Sequence, residues 1–264
     1  MTVRLGIALL AMLGTAMAAA QPAKPKTMAP TVAERMKAEI VRAYPHDRAA
    51  FTQGLVLDGG RLYESTGLVG RSSLRETELE TGRVIRKVDV APPIFAEGLA
   101  LVGDRLIQLT WQNERALVYD RSTFAKQGEL TYRGEGWGLC RDGDSLLMSD
   151  GSANLTIRRP TDFSIVRTIA VTLDGQPLDH LNELECAEGA VYANVWTRDV
   201  IVRIDPASGR VTHRIDAMNL LSPLERQNPD QVLNGIAYDT TDKTFLVTGK
   251  LWPKLFRVRF VPAR

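Results

Sequence analysis

The 264-residue sequence predicts an all-β fold, a five-bladed β-propeller closed by an N-terminal strand in its last blade, on three observations. A hairpin pattern recurs five times at the spacing of a four-stranded blade, too long for a leucine-rich repeat. Each hairpin except the last is followed by alternating sequence sufficient for two further strands. Segments with helical periodicity are nearly absent, apart from a turn expected over residues 217–228, "AMNLLSPLERQN".

Taken in chain order, residues 1–20 read as an export signal. Arg4 precedes an apolar run, and "AMAAAQ" offers small residues for cleavage after Ala18 or after Ala20. The run is too short and too rich in alanine for a membrane span, and no later stretch supplies one. The mature protein is therefore expected to be periplasmic or secreted, free of the membrane, and monomeric. Cleavage after Ala20 would leave Gln21 at the N-terminus. Residues 21–37 hold Pro, Ala and Lys with little to bury and read as a tether, which leaves 38–264 for the folded domain.

The five hairpins are "QGLVLDGGRLYESTG" from Gln53, "EGLALVGDRLIQLTW" from Glu97, "WGLCRDGDSLLMSDG" from Trp137, "NELECAEGAVYANVW" from Asn182 and "NGIAYDTTDKTFLVTGK" from Asn234. Each joins a short apolar strand to a second one through a Gly/Asp-rich turn. Their first residues lie 44, 40, 45 and 52 positions apart. The fifth copy retains one further strand, "KLFRVRF", which would leave an exposed sheet edge. The segment 38–44, "AEIVRAY", has the alternation needed to supply the missing outer strand.

In such a wheel the first strand of every blade lines the central channel, and the second returns antiparallel, so both ends of each hairpin meet at one mouth. Glu97 and Trp111, 14 residues apart, are therefore neighbours there. The starting positions are Gln53, Glu97, Trp137, Asn182 and Asn234, and the closing positions are Gly67, Trp111, Gly151, Trp196 and Lys250. These two columns differ between copies, whereas the positions between them repeat. With Trp252 they contain every tryptophan of the chain. A mouth walled by indoles around one carboxylate, one ammonium and three amides has the composition of a small-molecule site.

Other features point to structure or exclude function classes. Lys and Arg total 33 against 31 Asp and Glu, interspersed, so no basic stripe suggests nucleic acid. His46, His180 and His213 lack metal-ligand spacing and are expected on the surface or in loops. Cys140 and Cys186 fall on inner strands of adjacent blades, one position out of register, and are expected to be buried thiols rather than a bridge. Glu183 and Glu185 straddle Leu184 and are expected to solvate the strand end, with pocket tuning or a channel cation as alternatives.

The motifs "FTQGL", "FAEGL", "LTW", "GWGL", "NELE", "ANVW", "NGIA" and "TGKLWP" resemble, in order and in the corresponding blades, those of the glutamine cyclotransferase family. The resemblance covers about residues 38–260. It implies the five-bladed fold and an enzyme that converts the N-terminal Gln of peptides or proteins to pyroglutamate with release of ammonia. It also implies a site made of Phe51, Gln53, Phe95, Glu97, Trp111, Trp137, Asn182, Trp196 and Lys250. Ala96 departs from the "FGEG" common in the family. No cofactor is expected for the reaction. Structural metal ions accompany plant members, but no ligands for one are identified in this sequence.

Within that reading, Glu97 is expected to take a proton from the attacking amine and return it to the departing ammonia. Lys250 and Asn182 would polarise the γ-carbonyl, Gln53 would orient Glu97 or the amine, and the aromatic residues would hold the side chain curled. Two other classes are distinguishable by the same mouth. A non-catalytic binding propeller gives no reason for one Glu and one Lys to converge among tryptophans. A metal-dependent lactonase-type propeller needs several carboxylate or His ligands, where only Glu97, Glu183 and Glu185 are available.

Overall fold

The computed structural model describes residues 32–263 and the isolated Thr2. The expected export signal and cleavage site, Gln21 and most of the stretch read as tether lie outside the described residues. Those described are all-β, without a helix, and none of their segments is a helix long and apolar enough to cross a membrane. The turn expected over 217–228 is present as bends and turns.

Apart from the short pair Thr172–Leu173 and Gln176–Pro177, the strands form five antiparallel four-stranded units. The first three are separate sheets: Thr52–Asp58, Arg61–Thr66, Ser73–Thr77 and Val84–Asp89; then Ala96–Val102, Arg105–Thr110, Arg115–Asp120 and Lys126–Thr131; then Leu139–Asp142, Ser145–Ser149, Asn154–Arg158 and Ile165–Ala170. The fourth unit is Leu181–Ala187, Ala190–Val195, Val200–Ile204 and Val211–Asp216. The fifth is Leu233–Asp239, Thr244–Gly249 and Lys254–Pro262, completed by Glu34–Pro45 from the start of the described chain. Short loops set each hairpin's register. In "LDGGRL", Gly59 and Gly60 take φ of 56° and 76°, the left-handed pair that a tight two-residue turn requires.

First strands of successive units touch one another in a closed cycle, the fifth meeting the first. Five apolar clusters follow the same rule, each shared by two neighbouring units: Leu74 with Leu99, Leu109 with Leu146, Leu155 with Leu184, Tyr192 with Phe256, and Leu55 with Leu246. Burial falls outward, and the outer strand Val84–Asp89 alternates between half-buried and exposed.

Glu34–Pro45 closes the fifth unit by pairing antiparallel with Lys254–Pro262, as its alternation predicts. It also pairs in parallel with Val211–Asp216 over residues 34–37, fusing the last two units into one eight-stranded sheet. The strand thus begins at Glu34, inside the stretch read as tether, because a second partner is available there. A bulge between Ile40 and Arg42 adjusts its register.

Two expectations for the channel are corrected. Cys140 and Cys186 form a disulfide, because adjacent inner strands converge until their Cα atoms lie 5.4 Å apart, within bridging range despite the offset in sequence register. Glu183 does not solvate a strand end. It is completely buried, and its two carboxylate oxygens accept the amide N–H groups of Leu55 (3.2 Å) and Ile236 (2.8 Å), from the first and fifth units. Burial, reinforced by the charge of Glu185, pushes its pKa well above the usual carboxylate range. Burial likewise pushes Glu185 up to about 8.

Candidate active site

The side chains of the mouth are aimed by a repeated irregularity of the inner strands. In the first, second, fourth and fifth units the pairing register slips at one place, between Thr52 and Gly54, Ala96 and Leu99, Leu181 and Leu184, and Leu233 and Ile236. In the third unit Trp137 and Gly138 both bond to Ser149, an equivalent two-against-one arrangement. Each is a β-bulge, the device that turns a side chain out of the pleat. The residues that open the five hairpins, Gln53, Glu97, Trp137, Asn182 and Asn234, all sit in these bulges. Beyond the first three bulges the strands crowd together, a Cβ on Gly98 lying 2.6 Å from the amide nitrogen of Leu139, and beyond the fifth Gly235 takes a φ of 114°. Glycine therefore follows the bulge residue in four units, and in the remaining one Glu183 occupies that position.

A cavity of about 360 Å³ opens at this end, and all nine residues named from the sequence line it: Phe51, Gln53, Phe95, Glu97, Trp111, Trp137, Asn182, Trp196 and Lys250. Trp111 and Trp196 stand at the rim, 38% and 37% exposed, while Glu97 is 6% exposed on the floor. The aromatic rings make edge-to-face pairs, Phe51 with Phe95 (6.1 Å), Phe95 with Trp111 (5.8 Å) and Trp137 with Trp196 (5.5 Å). Gly151 is required by this wall, since a Cβ there would lie 2.7 Å from the Trp137 ring.

The polar groups form a directed chain. Asn234 donates to Gln53 Oε1 (3.1 Å), which leaves the Gln53 NH2 to donate to Glu97 Oε1 (3.1 Å). Burial pushes the Glu97 pKa well above the carboxylate range; the positive charge of Lys250 opposes that shift and the negative charge of Glu135 adds to it. Burial lowers the Lys250 pKa, against the charges of Glu97 and Asp230. Lys250 Nζ lies 4.9 Å from the centre of the Phe51 ring, a cation–π contact that holds the ammonium in an apolar wall. Asn182 is buried, with its Oδ1 unpartnered among the described residues.

Asn234, a member of the predicted ring, and Trp252, two positions beyond Lys250, lie outside the cavity lining. Trp252 is fully buried among Leu233, Val247 and Phe256, and its indole donates to the Gln231 carbonyl (3.1 Å). Asn234 is buried behind Gln53 and reaches the cavity only through it. Thr197, Pro229, Asp230 and Val232 also line the cavity and were not identified from the sequence. They lie on loops outside the hairpin repeat, so comparing repeats carries no signal for them; only the proximity of "NPDQV" to "NGIA" hints at Asp230. His46 lies in the loop after Glu34–Pro45, within its expected surface-or-loop placement, but its side chain is turned inward and buried. It donates from Nδ1 to the Trp252 carbonyl (2.8 Å) and from Nε2 to Glu64 (3.0 Å), so it anchors the turn that follows Lys250. Among the described residues no three His, Cys, Asp or Glu side chains are grouped to hold a metal ion, and no ligand set is assigned.

The chain is similar to known proteins in sequence and in fold. The family model described as glutamine cyclotransferase matches residues 8–260. A curated glutaminyl-peptide cyclotransferase of Arabidopsis thaliana is 40% identical over 235 residues, covering 85% of this chain and 72% of the relative. The crystal structure of Myxococcus xanthus glutaminyl cyclase superposes with a TM-score of 0.82 at 42% identity, covering 88% of this chain and all of that one. The chain belongs to the glutamine cyclotransferase family.

Proposed function

We propose that this enzyme, a glutaminyl-peptide cyclotransferase, cyclises N-terminal glutamine with Glu97 as a single proton carrier. The observation that carries the reading is a buried carboxylate, raised in pKa and held by Gln53, on the floor of an aromatic cavity that also contains Lys250. The α-amine nitrogen attacks the γ-carbonyl carbon of its own residue, forming the ring C–N bond. Glu97 accepts the proton released from that nitrogen. The bond to the side-chain amide nitrogen then breaks as Glu97 returns the proton, and ammonia leaves.

A free α-amine titrates at about 7.7–8.0, well above an ordinary carboxylate, so the burial that raises Glu97 brings the two proton affinities closer and lowers the cost of exchange between them. Lys250 and Asn182 face the developing oxyanion as donors. The aromatic walls of Phe51, Phe95, Trp111, Trp137 and Trp196 fold the glutaminyl side chain into the ring-closing conformer and exclude water. Beneath the site, the five four-stranded units act as the blades of a five-bladed propeller, with the active site at one mouth of its channel. Residues 1–20 are proposed to direct export.

Glu97→Gln keeps the size of the side chain and the contact with Gln53 but removes the titrating group. Turnover of a Gln-initiated dipeptide, followed by ammonia release, is expected to fall about a hundred- to ten-thousand-fold. Near-full turnover in this variant would remove Glu97 from the proton-carrying role.

A further inference from the structure

Glu135 lies outside the hairpin repeats, in the loop between Lys126–Thr131 and Leu139–Asp142. One of its carboxylate oxygens, Oε2, accepts the indole N–H groups of both Trp111 (2.8 Å) and Trp137 (2.9 Å), and the other accepts Gln112 Nε2 (3.0 Å). The two indoles belong to different units, and both line the cavity. Trp111 packs on Phe95 and Trp137 on Trp196, so a row of four aromatic side chains is joined at its middle by one carboxylate.

The carboxylate is itself well fixed. The amide of Gly136 donates to the Trp111 carbonyl (2.9 Å), and that of Gly134 donates to Glu114 Oε1 (2.9 Å), which ties the loop to the second unit on both sides of Glu135. Although burial acts the other way, hydrogen bonds from Gln112, Trp137 and Trp111 hold its pKa below the usual carboxylate value. Glu135 is thus an anion over the working range, and hydrogen bonds to an ionised acceptor are about twice as strong as neutral ones. An indole has a single polar hydrogen, so a shared acceptor sets the rotation of each ring and the distance between them.

We propose that Glu135 is a positioning residue of the active site, its carboxylate holding Trp111 and Trp137 at the separation that grips the glutaminyl side chain. The proposal rests on the cavity being the substrate site. The activity of the unaltered enzyme tests that reading, and variants at Glu135 test this one. Glu135→Ala removes the shared acceptor. Glu135→Gln keeps an amide oxygen able to accept both indoles but removes the charge.

Steady-state kinetics on a Gln-initiated dipeptide, tryptophan fluorescence and thermal unfolding are measured for the enzyme and both variants. Glu135→Ala is expected to raise KM about tenfold, as suits the loss of one or two charge-assisted hydrogen bonds, and to change the tryptophan emission with little change in Tm. Glu135→Gln is expected to restore KM and emission. Its acid kinetic limb should nonetheless move to lower pH, because of the charged groups that act on Glu97 it removes Glu135, which raises the pKa, and leaves Lys250, which lowers it. An unchanged KM and emission in Glu135→Ala, with the parent enzyme active, would show that packing alone holds the indoles and would overturn the proposal. If Glu135→Ala fails to fold, Glu135→Asp, whose carboxylate is one methylene shorter and cannot hold both indoles in place, tests it instead, and an unchanged KM and emission in that variant would overturn the proposal equally.

Discussion

Glu97 and Lys250 illustrate how burial and charge compete at single residues. Each is driven toward its neutral form by burial, and each is drawn back toward its charged form by the other. Removing the ammonium while keeping its bulk, as in Lys250→Met, is therefore expected to have two effects. Turnover should fall about a hundred- to a thousandfold through loss of an oxyanion donor. The acid limb of kcat/KM should also move to higher pH, since the charge that lowers the Glu97 pKa has gone. A pH–rate profile of the variant on a Gln-initiated dipeptide reads both, and an acid limb that stays in place would mean that Glu97 and Lys250 do not sense each other. Gln53 takes its orientation from Asn234, a residue that never meets the cavity.

At the scale of elements, bulges and turns decide which side chains reach the mouth. The turn carrying Lys250 is held from behind by His46, whose two ring nitrogens both face acceptors and so both carry protons. Although burial alone would lower it, the Glu64 carboxylate and the Trp252 carbonyl raise the His46 pKa above 6.5. Glu64, also buried, is lowered below 4.5 by His46, Arg75 and Thr52. A raised histidine stabilises fully below its unfolded pKa and loses that contribution as pH rises through the folded value. A lowered carboxylate stabilises fully above its unfolded pKa and loses that contribution as pH falls through the folded value. Both contributions are complete between about 4.5 and 6.5. Denaturant titrations of the enzyme and of His46→Ala are expected to differ most in that window, by about 3–5 kcal/mol, because the variant leaves Glu64 buried without its partner. A gap that does not narrow as the pH is raised well above 6.5 would show that His46 is not charged in the folded state.

For the whole molecule, stability comes from a closed cycle of neighbours. No unit owns a core: each apolar cluster is shared by two, and the last unit depends on Glu34–Pro45 for its outer strand. The disulfide between Cys140 and Cys186 ties the third unit to the fourth, at the end of the inner strands remote from the cavity. Replacing both cysteines by serine is expected to lower unfolding stability by about 2–4 kcal/mol through the freed 46-residue separation, with kcat and KM kept. Equilibrium unfolding together with the ammonia assay tests this. A large loss of activity at full stability would mean that the bridge shapes the catalytic mouth.

The hairpins, their number, the closing strand and seven of the residues lining the cavity (Gln53, Glu97, Trp111, Trp137, Asn182, Trp196 and Lys250) were legible in the sequence, because strand alternation and turn chemistry are local and because five copies reveal the positions at which they differ, whereas Phe51 and Phe95 followed from the family resemblance alone. The packing of Trp252, the relay from Asn234 to Gln53, the burial of Glu183 and His46, the disulfide and the grip of Glu135 on two indoles were not. Each depends on how closely strands or loops, most of them from separate units, approach in space. That distance is set by the ring as a whole, and the spacing of residues along the chain does not encode it.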